Sequence, residues 1–232
     1  MQTWLIDETR PATPGDLGGL ENLASAKMRN AKPPLLAVRL NDIVIYDVRK
    51  WFGGADVRID VIALHAPVKS DDNGDDADFY RPATFHFPGV RDGNRLPVDE
   101  PGLLVFLGQP RLFLDLSILI SRDRKDAADL RDLIAQRVGS KEWTAASSAL
   151  LATAVAAPQA AVIAAALTGA ITLGNLTAEL IREAAGNTIG LYRVSYLQNR
   201  DRFGLGRKPA TGSIKVQDFS FWYEIVIDRK KP

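Results

Sequence analysis

Alternation of apolar and polar positions dominates two stretches of this chain, and a helical pattern separates them. Leu36, Val38 and Leu40 alternate with Ala37, Arg39 and Asn41, the period of two that marks a half-buried strand. The run continues through Ile43-Val44-Ile45-Tyr46 with its parity shifted, which predicts a bulge at Asn41-Asp42. Val57, Ile59, Val61 and Ala63 face one way and Arg58 and Asp60 the other, a second strand. Shorter strands are predicted at Ala83–Phe87 and Leu103–Leu107, each bounded by glycine and proline. Leu112, Leu114, Leu116, Ile118 and Ile120 share a face opposite Phe113, Asp115, Ser117 and Leu119. Near the end of the chain Tyr192, Val194 and Tyr196 oppose Arg193 and Ser195. In the closing strand Phe219, Phe221, Tyr223, Ile225 and Ile227 alternate with Ser220, Trp222 and Glu224.

At Asp123 the period changes to about 3.6. Asp126 is placed to cap a helix with a Leu130, Leu133, Ile134, Val138 stripe that stops at Gly139. Thr144 to Ala178 contains no charged residue and is dominated by alanine, the best helix former. Pro158 divides it, and Asn175 is expected to cap a further short helix ending at Gly186. Residues 1–34, punctuated by proline and glycine, read as an N-terminal arm.

The order of strands, helices and strands predicts a mainly β fold with an α insertion. The expected architecture is an antiparallel two-sheet β-sandwich over 35–232, carrying an Ala-rich helical insertion at 123–186. Alternating strands imply that each sheet keeps one face in water.

Composition narrows the chemistry. The 29 basic and 28 acidic residues nearly cancel, so no global field draws the chain to nucleic acid. Cysteine is absent and there are two histidines, His65 and His86, which excludes thiolate sites and most zinc sites. No nucleophile elbow, phosphate loop or paired-histidine metal motif occurs, so a non-enzymatic protein is expected. The opening MQTWLIDETR lacks a basic start followed by an apolar core, which predicts a cytoplasmic chain with peripheral membrane association.

The stretch from Asp47 to Asp56 and on into a strand, the passage from LFLDLSILISRD toward Asn187-Thr-Ile-Gly190, and the closing FSFWYEIVI resemble the C2 domain, an eight-stranded antiparallel sandwich. In this chain the helical insertion stands in place of that family's third loop. An immunoglobulin-like sandwich is the alternative. The resemblance implies a module that binds lipid or a protein partner.

Four aspartates, Asp47, Asp56, Asp123 and Asp126, form a candidate calcium site if the loops bring them together, since calcium takes six to eight oxygen ligands. Turn and helix-capping roles are the competing reading. The acidic run Ser70–Asp78 reads as a solvated loop. Arg200, Arg202, Arg207 and Lys208 concentrate positive charge around Phe203, suited to lipid headgroups or an acidic partner, or else to a solvated loop. The uncharged stretch reads as a packed helical hairpin in which Ala165, Gly169 and Gly174 allow close approach, or as a membrane-inserting one. The expected function is thus a C2-like binding module that docks on a membrane surface or protein partner, with calcium assisting. Its rival is a membrane-inserting, pore-forming-type or homo-oligomerising protein acting through the hairpin.

Overall fold

Among the described residues, nine strands assemble into two antiparallel sheets. The computed structural model describes residues 33–65, 80–111, 113–123, 136–137, 140–155, 168–169, 171–177, 179–180, 188–198 and 202–228. The strands are β1 (Leu36–Ile45), β2 (Ala55–His65), β3 (Tyr80–Val90), β4 (Leu103–Gly108), β5 (Phe113–Arg122), β6 (Thr188–Leu197), β7 (Gly206–Lys208), β8 (Ile214–Val216) and β9 (Phe219–Ile227). One sheet has the order β4-β1-β9-β7, with β8 also on β9; the other runs β3-β2-β5-β6. The fold is therefore mainly β, as the alternation predicts.

Side-chain parity decides which face turns inward. From β1 come Leu36, Val38, Leu40, Ile43 and Ile45; from β2, Val57, Ile59, Val61 and Ala63; from β5, Leu114, Leu116, Ile118 and Ile120. The change of parity in β1 is a real irregularity: its register against β9 shifts between Asn41 and Val44, and Asp42 has φ 51°. From β6 and β9, Tyr192, Tyr196 and Tyr223 meet in the core. The Tyr192 and Tyr223 hydroxyls lie 3.2 Å apart, and Tyr196 also hydrogen-bonds to Tyr223. Phe219, Phe221 and Tyr223 stack in succession along β9 at 5.5 and 5.9 Å. Burial of these rings drives the sheets together, at about 1.5–3 kcal/mol for each large apolar side chain.

Three expectations need correction. The first is the solvated outer face. On the outer side of β3-β2-β5-β6, Arg58, Asp60, Asp115, Ser117 and Arg193 are all buried, and so are Ile62, Leu64 and Leu119. Helical residues lie over the β5-β6 part of this face, whereas Thr84 and His86 on β3 remain exposed. Residues 171–177 are helical, and a Cβ on Gly174 would strike the Arg193 guanidinium. The ions there are paired: Arg58 Nε donates to Asp60 at 2.8 Å, and Thr84 Oγ1 donates to the other Asp60 oxygen at 2.8 Å. Arg193 donates through Nε and Nη2 to Asp115 at 3.1–3.2 Å.

The second concerns Asn175. It lies within the helical residues 171–177 rather than before them. Its Oδ1 accepts from Arg193 Nη1 at 3.3 Å, so the side chain binds the sheet and does not cap a helix. The third concerns the stretch before β9. It contains two short strands, β7 and β8, which pair with β9 and are separated near Pro209, a residue with no N–H to give an edge ladder.

In chain order the described helical residues fall between β5 and β6, apart from Gln198 and a short 3-10 turn at Arg202–Gly204 after β6. Helix α1 spans Lys141–Val155 and starts at Ser140, whose Oγ accepts from the Trp143 N–H at 3.2 Å. Trp143 is buried and shares a small cavity wall with Leu176 and Leu180. Gly169 approaches closely: a Cβ there would come within 2.5 Å of the Ala146 carbonyl. Leu112, the expected helix at 126–139 apart from 136–137, and the acidic run 70–78 lie outside the described residues. Among the described residues no helix is long and apolar enough to cross a membrane.

Candidate functional site

Strand directions place one group of loops at a common end. β1 finishes at Ile45, β3 at Val90 and β5 at Arg122, while β2 starts at Ala55 and β9 at Phe219, with Ile45 paired to Phe219. The 46–54 connection, the start of the 91–102 connection, Asp123 and the 217–218 turn therefore meet there. The 46–54 loop is braced at its base. Val48 is buried, and its N–H donates to Asp92 Oδ1 at 2.7 Å. Asp47 Oδ1 accepts from the Arg49 N–H at 2.6 Å, a local turn that aspartate favours, and Arg49 adopts φ 54°. The Arg49 guanidinium clasps Asp218 at 2.7 and 2.9 Å, and Arg122 donates to the Arg49 carbonyl at 2.8 Å. Lys50 Nζ donates to the Gly54 carbonyl at 2.5 Å, closing the neck of the loop. Gly54 also lets the neck pack against the end of β3: a Cβ there would stand 2.6 Å from the Gly89 carbonyl.

Beyond the brace, two large rings project. Trp51 is 91% exposed and Phe52 79%, edge to face with centroids 6.3 Å apart. Tyr46 stands beside the base, 44% exposed, its hydroxyl on Ser220 Oγ at 2.8 Å and its ring under Lys215. A pair of aromatics this exposed on a tethered loop is unusual, because burying such rings is a main source of folding and binding energy.

Three of the four candidate calcium ligands reach this end. Asp56 and Asp123 are backbone neighbours, since the Asp123 N–H donates to the Asp56 carbonyl at 2.7 Å. Their carboxylates turn to different partners: Asp56 Oδ1 accepts from the Gly89 N–H at 2.9 Å, and Asp123 Oδ2 faces His86 Nδ1 at 2.7 Å. Asp47 serves its own turn. Asp126 lies outside the described residues. Among the described residues, no group of three or more His, Cys, Asp or Glu could hold a metal ion. His65 is buried and packs edge-on against Phe106 at 5.4 Å.

The basic residues lie elsewhere. β7 pairs with the later half of β9, Gly206 against Ile225 and Lys208 against Tyr223, so Arg207 and Lys208 occupy a sheet edge away from the 46–54 loop. Arg207 stacks over Trp222 at 4.3 Å and donates to the Gly212 carbonyl at 2.9 Å. Arg202 sits in a tight turn with φ 49°. Arg200 lies outside the described residues. The candidate aspartates and the candidate basic residues thus lie in different parts of the sandwich, and the structure brings forward Trp51 and Phe52, which sequence reasoning passed over. Their signal was present: two adjacent large apolar residues between Lys50 and Gly53-Gly54, in a segment with no periodicity able to bury both.

The chain matches no protein-family model and none of the curated proteins compared with it.

Proposed function

We propose that this protein is a non-enzymatic binding module, a C2-like sandwich that docks on a membrane surface or a protein partner through the end carrying the 46–54 loop. The observation that carries the proposal is the pair of exposed rings, Trp51 and Phe52, on a loop pinned by Asp92, Asp218, Arg122 and Gly54. A loop held rigid before it meets its target loses little conformational freedom on binding, so its apolar surface is converted efficiently into affinity. For the C2-like assignment the support is strand count. If β7 and β8 are taken as one interrupted edge along β9, each sheet has four rows, the eight-stranded arrangement that the resemblance implies. Calcium has no part in the proposal, because the aspartates at this end already engage Arg49, Gly89 and His86.

The absence of cysteine makes the test direct, since one introduced cysteine is a unique labelling point. A polarity-sensitive dye is attached at Phe52→Cys in one sample and at Lys208→Cys in another. Each is titrated with mixed phosphatidylcholine–phosphatidylserine vesicles and with unlabelled protein. A blue shift of the dye at position 52 alone is the expected result. A shift only at 208 moves docking to the basic edge, and silence at both positions in both titrations removes the proposal.

A further inference from the structure

The two rings at the tip differ from an ordinary protein-binding patch in size, shape and charge. Trp and Phe bury roughly 150–250 Å² each when covered, so this tip supplies about 300–500 Å². A specific protein interface needs about 800 Å² from each partner, which leaves the tip too small to hold another chain alone. It is also convex, and the brace described above keeps it so. A convex apolar tip suits a surface that yields around it, and the headgroup–acyl boundary of a bilayer is such a surface. Indole rings favour that depth because the ring is apolar while its N–H stays in reach of water and headgroups.

Charge then selects the kind of bilayer. The 46–54 loop carries Arg49 and Lys50 against Asp47, and Asp56 at the start of β2 brings the sum over 46–56 to zero. Arg49 is already paired with Asp218. Nearby at this end, Arg91, Arg95, Arg122 and Lys215 stand against Asp42, Asp92, Asp123 and Asp218, and Arg95 pairs with Asp42 at 2.8 Å. The charges at this end therefore balance, and no basic excess is left to seek anionic lipid.

We propose that Trp51 and Phe52 form an interfacial anchor that seats in the headgroup–acyl boundary of a zwitterionic, phosphatidylcholine-type bilayer, with apolar contact and not charge as the driving force. This rests on the docking reading given above and names its partner. Because no ion attraction is involved, docking is insensitive to salt and needs no divalent cation.

The test uses the full chain and vesicles of phosphatidylcholine alone, in EDTA, at low salt and at high salt. The expected result is co-sedimentation equal at both salt concentrations. Bilayers of dibrominated phosphatidylcholine should quench part of the tryptophan emission, and Trp51→Phe should lose that quenching while still binding. Trp51→Ser/Phe52→Ser should lower the partition coefficient about a hundredfold, a step of about tenfold per ring. Its thermal midpoint should stay at the wild-type value, since both side chains are in solvent. Arg207→Ala/Lys208→Ala should bind as wild type does. If vesicles are bound only with phosphatidylserine and released by salt, yet the Ser variant still weakens binding, the zwitterionic anchor falls while docking through this end stands. The same split follows if no vesicle is bound and concentrated protein self-associates through the tip, as shown by loss of self-association in the Ser variant. If the Ser variant matches wild type throughout, both readings fall.

Discussion

Truncating Asp115 to alanine leaves Arg193 as a charge without its counter-ion in a place water hardly reaches. Both residues are nearly fully buried on the outer face of β5 and β6. Arg193 spends Nε and Nη2 on the Asp115 carboxylate at 3.1–3.2 Å, and Ser195 Oγ donates to the same carboxylate. After truncation the guanidinium keeps only the Asn175 Oδ1 contact at 3.3 Å among these. Breaking a buried pair from one side costs about 3–5 kcal/mol, because the remaining ion has lost its hydration and gained nothing. For a chain of this size each kcal/mol lowers the thermal midpoint by about 2–4 °C, so the expected drop is roughly 6–20 °C. Replacing both partners by apolar residues of similar volume, Asp115→Leu with Arg193→Met, should recover most of that loss, since no charge is then stranded. Urea unfolding followed by circular dichroism measures each free energy, and adding the single variants Asp115→Leu and Arg193→Met closes a double-mutant cycle with the double variant and wild type. An Asp115→Ala variant within about 1 kcal/mol of wild type would refute the reasoning. It would mean that water reaches the guanidinium and that the helical residues do not cover the face. The outcome also bears on the rival function, in which the helical hairpin leaves the sandwich. A face that punishes an unpaired ion is sealed in the ground state.

Alkaline pH should destabilise the fold through the tyrosine cluster. Burial pushes the Tyr192 phenol above its ordinary value, and burial together with the neighbouring Tyr192 and Tyr196 phenols pushes Tyr223 far higher. The folded state therefore holds protons that the unfolded chain releases near pH 10, so this contribution to stability is intact below that pH. It declines above it by roughly 1.4 kcal/mol per pH unit for each phenol kept neutral. Urea midpoints at pH 9 and pH 11 measure the slope, and a flat profile with all five tyrosines ionising near pH 10 in folded protein would contradict it. A separate variant, Gly54→Ala, forces a Cβ to 2.6 Å from the Gly89 carbonyl and should open the neck of the 46–54 loop at a stability cost of about 1–3 kcal/mol. Vesicle binding should fall several-fold although neither ring is altered, and unchanged binding would show that the brace is irrelevant to docking.

Strand positions were legible in the chain because a sheet with one buried face writes its parity directly into the order of residues. Ile59, Ile118, Tyr192 and Phe221 all lie on the face that alternation assigns them, and the bulge in β1 was visible as a break in that alternation. β7 and β8 were not legible, since three residues cannot display a period. The outer face of β3-β2-β5-β6 was misread for a different reason. Arg58, Asp60, Asp115 and Arg193 look like solvent-facing residues in any local window. What buries them comes from elsewhere in the chain, as Gly174 and Asn175 show against Arg193. The aspartates illustrate the same limit: their types and loop positions were readable, but whether a carboxylate turns to a metal or to the Gly89 amide depends on strands distant in sequence. Trp51 and Phe52 escaped notice because pattern reading rewards periodicity, and two rings side by side have none.

Stability and the proposed docking call on different parts of this molecule. The ion pairs under the helical residues are buried and therefore costly to break, whereas the Arg49–Asp218 clasp is largely exposed, and such pairs contribute only about 0–1 kcal/mol to folding. The brace thus does little to hold the sandwich together. It sets the shape of a loop whose rings bury nothing and whose exposure works against solubility. Folding alone would be as well served by a short polar turn between β1 and β2. A loop pinned to Asp92, Asp218 and Arg122 that presents two apolar rings to solvent makes physical sense if something covers those rings, and that is why the proposed docking surface is placed here and not on the basic edge at Arg207 and Lys208.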